Sequence, residues 1–227
     1  MRESIGHNFF DKSEKEQRRI QLAIGAVSLV VLFLLSALFL VLGLYPIPFV
    51  LVAIVISIVA PFYDVPSMKK AGRLIYYSSL FLAEKEKNGV IRIHGGTLLD
   101  YVFVVDRTLG ARQRTTQILI SYIDGILSLL ESRHGSDLEQ IKVRGTSYII
   151  NEKTAGLVGF KKVENDFIQV ILLIYNYPNL VVSYSLSKGQ LSFPRISKIN
   201  TYEATLSDIA RRRDYLTKLR SRLTRTR

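Results

Sequence analysis

Between Arg19 and Asp64 the chain carries no charged side chain, a run of 44 residues. This run limits the fold more than any other feature. As one straight helix it would be about 66 Å long at ~1.5 Å per residue. The hydrocarbon core of a bilayer is about 30 Å thick and takes roughly 20 residues. The run is about twice what one crossing uses, so the chain is expected to double back.

Residues 43–48 mark the turn. Gly43 tolerates the backbone angles of a helix end. Pro46 and Pro48 lack an amide N–H and disfavour helix in the residue before them. Tyr45 suits a membrane–water interface, where its ring stays in an apolar layer and its hydroxyl stays wet. The two predicted crossings are 21–41 and 49–62, the second lengthened by its neighbours on either side. A soluble buried hairpin is disfavoured, because the rest of the chain is too small to cover so much apolar surface. One span followed by a re-entrant segment is the other membrane arrangement the pattern permits. A cleaved signal peptide is not expected, since the run far exceeds an apolar signal core.

The flanks predict an orientation. Arg2, Lys12, Lys15, Arg18 and Arg19 precede the run, and Lys69, Lys70 and Arg73 follow it. The turn holds no Lys or Arg, so the positive-inside rule puts both ends in the cytoplasm.

Residues 67–83 carry cations first and then Leu74, Tyr77 and Phe81 at helical spacing, which predicts an amphipathic helix lying at the interface or packed onto the soluble domain. Gly95-Gly96 between two β-rich runs within 90–106 predicts a hairpin. Leu119, Ile123, Ile126, Leu127 and Leu130 repeat at three and four, as one face of a helix does, over 111–133. His134-Gly135 is its expected stop. Residues 141–150 read as a strand. Residues 151–160 read as a short helix capped by Asn151 and ended at Gly159, with a strand starting at 161–164. Residues 167–175 are apolar throughout, so periodicity does not separate helix from buried strand. A second hairpin is expected from 180–186 and 191–196, and a basic helix over 202–223.

The expected fold class is α+β: a two-helix transmembrane hairpin, then a mixed α+β soluble domain with a basic C-terminal helix. The segments are 1–20 (cytoplasmic N-terminal segment), 21–63 (hairpin), 64–88 (juxtamembrane amphipathic helix), 89–200 (cytoplasmic α+β domain) and 201–227 (basic helix and tail).

Catalytic constellations are incomplete in the sequence. His94 stands beside a glycine pair, with Thr97 and Asp100 close by, and a histidine oriented by a carboxylate can act as a general base. No G-x-S-x-G elbow accompanies it. His134 and Asp137 form a weak metal pair, and the only other histidine is His7, before the hairpin. The chain has no cysteine, so thiolate sites are excluded, and the common zinc signatures are missing. No Gly-rich phosphate loop appears. No cofactor and no metal are expected.

The basic features are stronger. The net charge is +12, and the last 27 residues hold eight cations against three acids. Lys69, Lys70, Arg73, Arg211, Arg212 and Arg213 are the candidate residues for binding anionic lipid head groups or an acidic partner, each worth about 1 kcal/mol near an anionic leaflet. Nucleic acid is a rival polyanion, disfavoured because only Tyr215 lies among the tail cations and stacking platforms need more aromatics.

These features predict an integral protein of a bacterial-type inner membrane. Its cytoplasmic domain would serve binding, scaffolding or assembly, with a protein partner or a second copy. Two alternatives remain open. One is a membrane-tethered enzyme acting on a lipid-linked or acyl substrate through His94. The other is a membrane-attached nucleic-acid binder.

Overall fold

The computed structural model describes residues 6–133, 137–165, 167–196 and 199–225. The uncharged run folds as two antiparallel helices. Helix α1 (Glu14–Val41) opens on a capping box, in which the Glu16 N–H donates to Ser13 Oγ and the Ser13 N–H donates to the Glu16 carboxylate. It ends at Gly43, whose φ is +73°. There the amides of Gly43 and Leu44 turn back onto the carbonyls of Leu40 and Phe39, the Schellman arrangement. Helix α2 (Ile47–Val59) starts after Pro46, and α3 (Pro61–Lys70) continues it through a helical Ala60. Both α1 and the joined α2–α3 stretch are long and apolar enough to cross a membrane.

Hydrogen bonds tie the open end of the hairpin. Gln21 Nε2 donates to the Phe62 carbonyl at 2.8 Å, and the Tyr63 hydroxyl donates to the Gln21 carbonyl at 2.6 Å. Gly25 makes room for that hydroxyl, since a Cβ there would lie 2.5 Å from it.

The amphipathic helix expected over 67–83 is not formed as one element. Gly72, at φ +66°, stops α3 with a second Schellman pair, from Gly72 and Arg73 to Lys69 and Met68. Strands β1 (Leu74–Ser78) and β2 (Phe81–Glu84) follow as an antiparallel hairpin. Leu74 and Tyr76 are buried while Ile75 is exposed, so the period is two. The helical spacing of Leu74, Tyr77 and Phe81 was incidental; β-branched and aromatic side chains prefer the pleated surface.

The hairpin expected around Gly95-Gly96 is also corrected. Strand β3 (Val90–Gly95) is followed by helix α4 (Leu98–Val104). A capping box at Thr97 and Asp100 starts that helix. Helix α5 (Ala111–Glu131) matches its periodicity; its expected stop at His134-Gly135 lies outside the described residues. Helix α6 (Asp137–Gln140) and strand β4 (Lys142–Ser147) follow. Next come α7 (Glu152–Leu157), capped by Asn151 as expected, and β5 (Lys161–Val163).

The segment left ambiguous becomes α8 (Phe167–Tyr175). The expected hairpin over 180–196 is replaced by α9 (Tyr177–Lys188), ended by Gly189, and irregular chain after it. Asn179, Ser183 and Ser187 are its buried residues, a polar stripe of period four that outweighs the β-propensity of Val181 and Val182. The long basic helix is likewise shortened. Residues Asn200–Thr205 form β6, a capping box at Thr205 and Asp208 starts α10 (Leu206–Ala210), and α11 (Arg213–Arg225) carries the cations.

The six strands make one mixed sheet in the order β1-β2-β3-β4-β6-β5, with β3 and β4 parallel and the other pairs antiparallel. One face packs on α5, α10 and α11 through Phe81, Ile91, Ile123, Val143, Leu206 and Leu216. The other face meets the open end of the hairpin.

Candidate functional site on the hairpin-facing side of the sheet

Register decides which side chains share this face. Leu82 lies opposite Tyr76 on β1 and opposite His94 on β3. Arg92 is two residues from His94, so it shares the face. Arg92 is in turn level with Arg144 on β4, and Arg144 with Glu203 on β6. The face is therefore apolar near the hairpin and charged further out.

The apolar half forms a junction core. Leu74, Tyr76 and Leu82 from the sheet meet Leu98 and Leu99 from α4 and Phe62 and Val65 from α3, with Ile20, Ile24 and Ile58 of the hairpin packed against them. Phe9 is fully buried in this cluster. Burying a phenylalanine is worth about 1.5–3 kcal/mol, so the turn before α1 is pinned to the sheet rather than trailing from it.

A polar contact sits inside the junction. Asp100 Oδ1 accepts from His7 Nε2 at 2.9 Å and from the Tyr76 hydroxyl at 2.6 Å, and its other oxygen accepts from the amide and hydroxyl of Thr97. His7 and Asp100 are both fully buried. The Phe9 N–H donates to His7 Nδ1, so the proton on Nε2 is directed at the carboxylate. Burial first, and the Asp100 charge second, push the Tyr76 hydroxyl far above its ordinary pKa. Among the described residues no buried side-chain nitrogen or oxygen lacks a hydrogen-bond partner, in line with the cost of leaving one unpaired.

The structure separates the three residues singled out for catalysis. Thr97 and Asp100 are joined as a helix cap, and Asp100 is closed off beneath His7. His94 turns to Glu84 instead, with Nε2 2.9 Å from Oε1 and both side chains about a third exposed. The hydrogen bond from His94 holds the Glu84 carboxyl below its usual range despite partial burial. Beside this pair lies a shallow cleft lined by Arg92, Ile93, His94, Arg144, Thr146 and Gln169. Burial raises the Glu203 carboxyl, but hydrogen bonds from Arg144 and Lys142 outweigh it and hold it below its ordinary value. The sequence offered no sign of the His94–Glu84 pair, because it is made between β2, whose residues read largely as helix, and β3, which was expected to pair with the run after Gly96 instead. Asp100 was legible differently: Thr97-Leu98-Leu99-Asp100 is a capping-box pattern.

The cations named from the sequence fall into two groups. Lys69 stands over the Phe10 ring at 3.7 Å, Lys70 pairs with Glu14 at 3.2 Å, and Arg73 is exposed at the start of β1. These three sit at the open end of the hairpin. Arg211 pairs with Asp208 and Arg213 with Glu131, while Arg212 is exposed. This cluster belongs to the α5 side of the sheet. Arg220 also pairs with Asp124 there, which raises its pKa further. Among the described residues no cluster of three or more His, Asp or Glu side chains is arranged to hold a metal ion. His134 lies outside the described residues, as do Arg2 and Arg227; Asp137 opens α6.

Comparison with family models, with curated proteins and with solved structures found no match. The chemistry of this face therefore rests on its own geometry.

Proposed function

We propose that the chain is a two-pass protein of a bacterial-type inner membrane, with both termini and the α+β domain in the cytoplasm. In this reading the domain serves binding, scaffolding or assembly at the membrane surface. The observation that carries it is the junction core. Phe9 and His7 before α1, Phe62 and Val65 after α2, and Tyr76, Leu82, Leu98 and Asp100 of the domain share one buried cluster. A domain fused to its anchor on both flanks is held at a fixed height and angle over the bilayer, which suits presentation of a surface to a neighbour. The positive flanks of the hairpin support the orientation, and in this reading Lys69, Lys70 and Arg73, at its open end, are the cations that meet anionic head groups.

Reporter fusions test the topology. Tags after Leu44 and at either end should report opposite sides of the membrane; a tag at the turn on the same side as the C-terminus would overturn the reading. Photo-cross-linkers on exposed domain residues in native membranes test the role. A discrete adduct with one partner or a second copy is expected. A strictly monomeric species at every position would overturn assembly.

A second reading draws on the His94–Glu84 pair. A histidine with a carboxylate in reach, at the edge of a cleft that also holds Arg92 and Arg144, can serve a general-base role toward an anionic, lipid-linked substrate. Its discriminator is His94→Ala, which leaves the scaffold reading untouched but abolishes turnover if the cleft is an active site.

A further inference from the structure

A second uncharged run extends from Phe167 to Ser187, 21 residues, enough for about one crossing by length alone. It is built as α8 and α9 with a bend of 70° between them. The sheet excludes a crossing. Strands β4 and β5 come before the run and β6 after it, and β6 is hydrogen-bonded between β4 and β5. The chain must therefore return to the side from which it left.

The two halves of the run differ. Helix α9 packs on α4 and α5 and buries its polar stripe. Helix α8 buries no residue. Phe167 is 74% exposed, Ile168 66%, Ile171 47% and Leu172 46%. Its single polar side chain before Tyr175, Gln169, lies at the cleft on the charged half of the sheet. The bend is fastened to the hairpin: Ser57 Oγ donates to the Tyr175 carbonyl at 3.4 Å, and Asn179 Nδ2 donates to the Ser57 carbonyl at 3.5 Å. Ser57 lies in α2, seven residues before Asp64, or about 10 Å along the helix. Asn176 Nδ2 also donates to the Leu172 carbonyl, which accepts the Asn176 N–H as well, so the polar side chain at the break finds its partner internally, as an apolar medium demands.

We propose that α8 is a third membrane contact, a helix embedded in the leaflet nearest the α+β domain without crossing it. The occupant of its exposed apolar surface is lipid acyl chain, because the C-terminal end of α8 is fastened to Ser57, in the uncharged stretch of α2 on the apolar side of Asp64. Interfacial helices bury their apolar faces about 5–10 Å below the head groups, the depth the Ser57 contact sets. The proposal rests on the hairpin lying in a bilayer, which the experiment reads separately.

The chain has no cysteine, so single cysteines at Ile168, Ile171 and Leu172 can carry nitroxide labels in the full-length protein reconstituted into liposomes. Val30 in α1 and Thr217 in α11 are the membrane and water references. The expected result at the α8 sites is a ratio of oxygen to water-soluble nickel-chelate collision several-fold above that at Thr217, and graded toward that at Val30. Nickel-chelate access matching Thr217 would overturn the proposal. Protection from both reagents would also overturn it, by showing that protein, a second copy or another partner, covers the helix. An aqueous reading at Val30 would instead remove the hairpin's membrane placement.

Discussion

On its α5 side the sheet meets Ile123, Leu129 and Leu130 across a continuous apolar layer. On the other side the same strands offer Tyr76 and Leu82 to the hairpin, and then Arg92, His94, Arg144 and Glu203 to open space and the start of α8. The first face is a packing surface like that of any α+β domain. The second is half core and half charge, and its polar groups are paired across strands rather than removed. A face that only needed to be covered would be apolar throughout, so the charged half is not built as a packing surface for the domain's own helices.

The sharpest way to break this comparison is to damage the packing face alone. Phe81 is buried against Gly125, where an added Cβ would come within 2.3 Å of it. Phe81→Ala should cost about 3–5 kcal/mol, read as a lower urea midpoint in detergent. The hairpin should stay membrane-inserted, resistant to carbonate extraction. If extraction and unfolding changed together, the anchor would depend on the α5 face and the two-face distinction would fail.

Asp100→Ala probes the junction. It removes the shared acceptor of His7, Tyr76 and Thr97 and leaves buried donors unpaired, at a cost of about 3 kcal/mol. The effect should be local first: protease should reach the chain near Phe9 and Phe10 before the sheet unfolds. His7→Ala should show the same exposure with a smaller loss, since Tyr76 and Thr97 keep their acceptor. Equal resistance in wild type and both variants would show that the apolar contacts of Phe9 suffice.

The parts of this architecture legible in the sequence are those with one dominant physical signal. The charge-free run and its Gly-Pro turn announce the hairpin, the three-four repeat announces α5, and Asn151 announces α7. The misread stretches held two signals in competition. Residues 74–81 satisfy a helical spacing while being rich in β-formers, and residues 180–186 hold the β-branched Val181 and Val182 beside a polar stripe at helical period. At 202–213 a strand and two helices were merged, because Thr205 and Asp208 act as a cap inside what read as continuous amphipathic sequence. The site was less legible than the fold. The His7–Asp100 contact joins residues 93 positions apart, and the His94–Glu84 pair exists only once the β2–β3 register is known.

The smallest expected effect separates the charged half of the second face from the rest. Glu84 and Glu203 both titrate below the ordinary glutamate range when folded, Glu84 through His94 and Glu203 through Arg144 and Lys142 against its burial. A carboxyl whose folded pKa is lowered binds fewer protons in the folded state than in the unfolded one. Its stabilisation is fully present above the unfolded value near ~4.3 and is lost as pH falls through the lower folded value. Each pair is partly exposed, so each contributes under about 1 kcal/mol. Thermal melts in detergent should show stability falling below about pH 4.3, with the fall shallower in Glu203→Gln and in Glu84→Gln. Added salt at pH 7 should weaken the wild type slightly and the doubly substituted protein less, because screening acts on the charges the variants have lost. An acid response unchanged by both substitutions would mean that other carboxylates govern it, and that these two pairs on the charged half of the face add nothing to folding.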